Sequence, residues 1–286
     1  MKKIYKLMVA CLMGLTLTNC NDFLDYNPTA VIDEDKAFSE PEKMVNAAYA
    51  MLGDCWFSYP FNLFPYGDIT SDDCLKGGSG TTDTGYHPFE IWSTLTATTP
   101  GEMDELWYRL YCAVSRCNRA LVSLERNGVA KLGSDISEQR IAEVKFLRAH
   151  FYYKLLTVFR QVPWIDEVAY LNNSIEQIPN DEFSYEGLFG KVIADFETAY
   201  NVLPEKQSDG GRVNKIAAAA YLAKCYLGLA WGDGYEATTG VNHINEEYMR
   251  KVVIYTDEVA NSDYDYLEDF GDIFLPDYKN SKESVF

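Results

Sequence analysis

The sequence predicts a mainly α fold: a tetratricopeptide-like scaffold of stacked helix pairs, with a long irregular, aromatic-rich loop region set into it. Three observations carry this. Apolar residues recur at helical spacing in successive stretches. Two helix pairs, about 100–160 and 184–231, each enclose a ten-residue connection, 128–137 and 204–213. Residues 53–98 show no periodicity and are rich in Gly, Thr, Ser, Asp and aromatics. The consensus of a tetratricopeptide repeat, about 34 residues long, is absent, so the likeness is one of architecture.

The elements follow in order. Ser39-Glu40-Pro41-Glu42 reads as a capping box, opening a helix with Met44, Ala47, Ala48, Met51 and Leu52 on one face. After the irregular stretch, Thr99-Pro100-Gly101-Glu102 repeats that box. Trp107, Leu110, Val114, Cys117, Leu121 and Leu124 then recur at spacings of 3, 4, 3, 4 and 3. Asn127-Gly128 reads as the end of that helix. Asp135 with Glu138 opens the next. Its stripes, Ile141-Val144-Leu147-Phe151-Leu155-Val158 and Phe146-Ala149-Tyr153-Leu156, predict a helix sandwiched between neighbours. Ser184 caps a helix with Phe189, Val192, Phe196, Ala199 and Leu203 in register, stopped by Pro204. Asn214 caps the Ala-rich run that follows, and a last helix covers about 246–261. Ser284-Val285-Phe286 is an apolar, strand-like run with no turn after it, which predicts that a C-terminal portion is missing. As a true end it predicts poor stability, because Ile273, Phe274, Val285 and Phe286 would lack partners.

The 286 residues carry 25 Lys+Arg against 43 Asp+Glu, a net charge of −18. That argues against nucleic acid and anionic membrane surfaces as electrostatic partners. The start, MKKIYKLMVACLMGLTLTNC, has a basic beginning and an uncharged stretch from 7 to 21. A spanning helix needs about 20 apolar residues, so this reads as a signal peptide over 1–19. Leu17-Thr18-Asn19-Cys20 resembles a bacterial lipobox, in which Cys20 becomes the lipid-modified first residue; Asn19 departs from the usual small residue there. Ordinary signal cleavage nearby is the alternative. Residues 20–38 read as a tether and 39–286 as the helical domain. Cys55, Cys74, Cys112, Cys117 and Cys225 show no ligand-like spacing and read as small buried hydrophobes.

Several segments together resemble the SusD/RagB-like outer-membrane lipoproteins. They are Cys20-Asn21-Asp22-Phe23-Leu24-Asp25, GDITSDD (67–73), ELWYRLYCAVSRCNRAL (105–121), AEVKFLRAHFYYKLL (142–156), GRVNKIAAAAYLAKCYLGLA (211–230) and NSKESVF (280–286). Members of that family are generally longer, so the resemblance covers an N-terminal portion. It implies a cell-surface, lipid-anchored protein of Bacteroidetes-type bacteria that captures oligosaccharide and passes it to a SusC-like TonB-dependent barrel. It implies no catalysis and no cofactor.

A sugar presents C–H faces to aromatic rings and hydroxyls to carboxylates and amines. The irregular stretch offers both. Trp92 and Tyr86 are the stacking candidates, with Asp73 and Lys76 as polar partners. Packing of the same rings onto the helices is the alternative; it is favoured for the aromatic run 56–66, and for Trp92 both readings stand. Lys145, Arg148 and Lys154 read as surface ion-pair formers, and Glu143 as part of a solvated edge. Chance carboxylate pairs could suit glycoside hydrolysis, but no setting that raises an acid's pKa is visible. Asp68, Asp72 and Asp73 lack calcium-loop spacing, and no nucleophile or metal motif is present. The competing functions are a helical-repeat scaffold that binds only protein, a truncated nonfunctional fragment, and a secreted glycan-active enzyme.

Overall fold

A computed structural model of the chain describes residues 34–53, 64–71, 73–78, 86–93, 102–172, 177–232, 235–236, 240–241 and 243–286. The chain divides into two units, Met1–Ala37 and Phe38–Phe286. In the first, part of one short helix is described, Glu34–Phe38 (α1). In the second, helices follow at Pro41–Tyr49 (α2), His87–Glu90 (α3), Glu102–Leu132 (α4), Ser134–Phe159 (α5), Glu167–Leu171 (α6), Tyr185–Val202 (α7), Lys215–Gly232 (α8) and Glu246–Ala260 (α9). A two-residue antiparallel pairing joins Tyr235–Glu236 to Gly240–Val241. The long helices stack in chain order: α2 on α4, α4 on α5, α5 on α7, α7 on α8, α8 on α9. This is the predicted helix-pair architecture.

The helix starts follow the predicted chemistry at α7 and α8 but not at α2 or α5; α5 begins after Gly133 with no side-chain cap, and Asp135 lies inside its first turn. Ser184 Oγ accepts from the Gly187 amide at 3.1 Å, and Asn214 Oδ1 from that of Ala217 at 2.9 Å. Glu40, not Ser39, is the N-cap of α2, and no side chain caps it; Pro41 in the first turn starts the helix without one. The boxes at 99–102 and the cysteine at 55 lie outside the described residues, Glu102 apart. Both predicted stripes of α5 face the core, buried except for Ile141, Tyr153 and Val158, which are partly exposed and pack against it, as a helix between α4 and α7 requires.

The end of α4 differs from expectation. The helix runs through Asn127-Gly128 to Leu132, and Gly133 alone, at φ +86°, turns the chain into α5. The Asn127 amide is used elsewhere: it donates to the Phe38 carbonyl at 2.9 Å, beside the Ser123 hydroxyl at 2.7 Å. Gly128 serves helix approach, since a Cβ there would lie 2.3 Å from Ser137 Oγ. The expected connection of ten residues is therefore a single residue.

The tyrosine excess is spent largely on packing. Tyr152 stacks on Trp164 at 4.3 Å, Tyr226 on Tyr255 at 5.9 Å, and Tyr221 on Phe196 at 5.1 Å. Near the C-terminus, Val285 packs on the core and the Phe286 ring meets Phe146 edge-on at 5.5 Å, so these two have the partners expected to be missing. Ile273 and Phe274 stay 38% and 73% exposed.

Two charged residues sit elsewhere than the sequence suggested. Glu143 is fully buried, not on a solvated edge. It accepts from Tyr49 Oη at 2.9 Å, Arg140 Nη1 at 2.8 Å and Arg212 Nη1 at 2.8 Å. Arg140 and Arg212 also bind Glu42, at 2.9 and 2.7 Å, which ties α2, α5 and the 203–214 connection together. Burial works against the Glu42 charge, but Arg140 and Arg212 outweigh it and hold that carboxyl below its ordinary range. Arg148 likewise points inward, onto Asp195 of α7.

His150 is 8% exposed and its Nδ1 has no hydrogen-bond partner. It meets the Phe151 ring of its own helix, with Tyr221 and Lys224 from α8 and Lys154 from α5 around it. Burial first, then the Lys154 and Lys224 charges, pulls its pKa down to about 3 from 6.5. A depressed folded-state pKa means that the unfolded chain takes the proton first. Stability is therefore complete above about pH 6.5 and is lost as pH falls toward 3, at up to about 1.4 kcal/mol per unit. We expect His150→Phe to flatten that part of the pH–stability curve in urea titrations. An unchanged slope would mean that His150 does not contribute to it.

Candidate glycan-binding surface

Two short elements of the irregular region lean on each other and carry the candidate site. A π-helical turn, Pro65–Ile69, packs against α3. Tyr66 meets Phe89 edge-to-face at 5.2 Å, and Ile69 and Phe89 are buried. The Thr70 hydroxyl donates to the Tyr66 carbonyl at 2.8 Å and holds the turn. Tyr66 thus packs inward, as favoured for its aromatic run; residues 56–63 lie outside the described residues.

Of the candidate side chains, Trp92 and Asp73 are exposed and Tyr86 and Lys76 half-buried. Tyr86 is the N-cap residue of α3 and Trp92 lies just past its end, so one short helix positions both. Trp92 is 72% exposed and sits at φ +50°, a left-handed conformation that disfavours a bulky side chain. Backbone bonds on either side fix the bend: the Trp92 amide to Phe89 O at 3.4 Å and the Ser93 amide to Pro88 O at 3.0 Å. Asp73 and Lys76 lie on the loop after the π-helical turn. Asp73 is exposed, and Lys76 is partly exposed with Nζ donating to the Gly77 carbonyl at 3.2 Å. Gly77 and Gly78, at φ +72° and +71°, make the sharp bend of that loop. The Cys74 thiol, between Asp73 and Lys76 in the chain, is pushed up by desolvation and by the charges of Asp68 and Asp73. The structure therefore joins Tyr86 with Trp92 across one helix, and places Asp73 with Lys76 on the segment following the element that supports it.

The chemistry available is recognition by ring faces and hydrogen bonds. The deeply buried carboxylates, Glu143 and Asp195, are each ion-paired with arginine; burial raises the Asp195 carboxyl above its ordinary value even though Arg148 works against it. Among the described residues no group of three or more His, Cys, Asp or Glu is placed to hold a metal ion.

A second concavity was not foreseen. Trp107 and Tyr111 of α4 face Pro163, Ile165 and Tyr170 across a pocket of about 300 Å³. In the sequence Trp107 belongs to a regular apolar stripe. The only hint of a gap is that two large aromatics, four apart, follow one another on a helix flank that ends in polar Ser115 and Asn118.

Comparison with known proteins extends these observations. The profile of a family described as "Starch-binding associating with outer membrane" matches residues 22–227. A SusD-like protein of Bacteroides ovatus is 25% identical over 98% of this chain and 48% of its own. A structure solved with a xylogluco-oligosaccharide superposes with a TM-score of 0.63 at 24% identity, over 85% of this chain and 45% of that one. A laminarin-binding SusD-like protein does so with a TM-score of 0.65 at 22% identity, over 86% and 50%. The structural likenesses establish a shared fold. The chain spans about half the length of the curated relatives it matches.

Proposed function

The chain belongs to the SusD-like family, and from that premise we propose that it is a glycan-capturing lipoprotein of the outer-membrane surface. In this reading residues 1–19 direct export, Cys20 carries lipid, 20–38 form a tether and 39–286 display the binding surface. No helix among the described residues is long and apolar enough to cross a membrane, which suits attachment through the lipid. Trp92 and Tyr86 supply stacking faces; Asp73 and Lys76 supply polar contacts to hydroxyls. The captured oligosaccharide passes to a SusC-like TonB-dependent barrel, and the protein performs no hydrolysis.

The observation that carries the reading is Trp92. A large aromatic ring is held out in water on a backbone conformation that opposes it, just past a helix anchored by the buried Phe89. Local strain at an exposed ring points to binding rather than packing. The test is native affinity electrophoresis against a panel of polysaccharides, joined to a pull-down from detergent-solubilised outer membranes with intact-mass analysis. Retardation by at least one polysaccharide, with no product released on long incubation, is expected, as is a co-purifying barrel with lipid on Cys20. Retardation by none sinks glycan capture. An unlipidated chain without a barrel sinks the anchor and the partner.

A further inference from the structure

The pocket between α4 and the 163–170 segment is built and rigid. Its far wall is the 163–165 segment with Tyr170 of α6, and three backbone groups of that segment are held by side chains of α4 and α5. Tyr111 Oη donates to the Pro163 carbonyl at 2.8 Å, Asn118 Nδ2 to that of Ile165 at 2.9 Å, and the Ile165 amide to Tyr152 Oη at 2.6 Å. The Asn118 oxygen is taken as well, by Arg148 Nη1 at 3.1 Å. What remains toward the cavity is mostly the faces of Trp107, Tyr111 and Tyr170 with the apolar surface of Val114, Pro163 and Ile165, and Ser115 is the small polar residue among them.

Such a lining disfavours a bare sugar ring. Its many hydroxyls would leave water and find the Tyr111 hydroxyl and the Asn118 amide already committed, with Ser115 too little to replace them. An apolar group of limited size meets no such penalty, and a volume of about 300 Å³ is at the small end of ligand pockets. The rim has different chemistry. Tyr108, Tyr111 and Ser115 follow the i, i+3, i+7 spacing of one helix flank, and Tyr108 is 59% exposed. Asp104, exposed one turn earlier, adds a carboxylate to the same flank, and the Arg109 guanidinium lies 6.0 Å from the Tyr108 ring. An apolar hole bordered by an exposed aromatic face and an acceptor of hydroxyl hydrogen bonds suits a sugar carrying an apolar appendage better than a purely apolar protein side chain.

We propose that this pocket holds the acyl substituent of an acylated glycan, acetyl or aromatic, while the sugar that bears it stays outside against Tyr108. This rests on the glycan-capture reading and adds a preference for acylated over bare chains. Binding is non-covalent and the ester remains intact.

The test uses matched pairs: acetylated xylan, glucomannan and pectin oligosaccharides, each alongside its alkali-deacetylated form, titrated calorimetrically against the intact chain. For a pair that binds, the acetylated member is expected to bind about fivefold more tightly, from the methyl and carbonyl carbon taken out of water. Ser115→Phe, which fills the pocket from α4, should remove the difference while the melt stays cooperative; Tyr170→Ala, which removes a wall, should reduce it. Trp92→Gly should weaken both members and leave their ratio unchanged. Equal binding of both members in every pair that binds, or a preference that survives both pocket variants, overturns the proposal. Ethyl ferulate, followed by saturation-transfer NMR, separates its failure from that of glycan capture. Ferulate signal absent in the wild type overturns the pocket assignment even if oligosaccharides bind. Ferulate signal lost in Ser115→Phe, with no oligosaccharide or polysaccharide bound, overturns glycan capture and therefore the acylated-glycan assignment, while leaving an apolar pocket. A partner protein photo-crosslinked from position 108, with no acyl preference, would overturn the proposal in favour of a protein contact.

Discussion

Arg148→Met is expected to cost about 3–5 kcal/mol and to lower the melting temperature by about 10 °C. Arg148 is 4% exposed in the middle of α5. Its Nε and Nη2 grip Asp195 at 2.7 and 3.0 Å, and its Nη1 reaches Asn118 and Glu167. The guanidinium also lies 5.5 Å from the Trp164 ring. Burial works against its charge, but Asp195 and then Glu167 overcome that and raise its pKa above the ordinary value. One side chain thus joins α4, α5, α6 and α7. Methionine fills similar space but strands the Asp195 carboxylate, 5% exposed, without its hydrogen-bonded counter-charge and with Lys145 left as the favourable charge acting on it. Arg148→Lys should rescue little, because a single ammonium cannot make the bidentate contact and reach Asn118 and Glu167 too. The double variant Arg148→Met/Asp195→Leu should recover more than half of the loss, since the penalty lies in the unpaired charge more than in the absent pair. Urea and thermal melts decide it. A single-variant cost below about 1 kcal/mol would mean that water reaches Asp195.

That cluster also marks where sequence reading reaches its limit. Helical stripes are local, and those of α5 and α7 were legible because burial of one face imposes its period on neighbouring residues. Ion pairs are not local. Arg148 meets Asp195 47 positions on, and Glu143 meets Arg212 69 positions on. Within their own helix both residues look like ordinary surface charges. Gly128 misled for a related reason. Asn-Gly after an apolar stripe has the chemistry of a helix end, but here the missing side chain lets Ser137 approach and the Asn amide serves Phe38. In the candidate site, Trp92 stood out as an aromatic in an aperiodic region. Its exposure and its positive φ depend on α3 resting against Tyr66 and Ile69, which no spacing reveals. The pocket was hard to see because Trp107 and Tyr111 sit on one helix, and its other wall is held by hydrogen bonds from α4 to a loop 52 and 47 residues away.

Trp92→Gly is expected to separate binding from stability. At φ +50° a residue with a Cβ carries a local penalty of about 1 kcal/mol that glycine escapes. With 72% of the residue in solvent, the ring returns little of that through packing. Its loss should therefore leave the melting temperature unchanged or raise it by a few degrees. Glycan affinity should fall at least about tenfold, the equivalent of about 1.4 kcal/mol of ring stacking. Trp92→Phe keeps a flat face and should retain most of the binding while bearing the same backbone penalty. Affinity electrophoresis and calorimetry read the first effect, thermal melts the second. Loss of stability beyond about 2 kcal/mol with binding intact would return Trp92 to the core and remove the main support for a stacking site on this surface. If binding falls while stability holds or rises, the strained backbone at 92 exists to present a ring to a ligand, because folding alone would be better served by glycine.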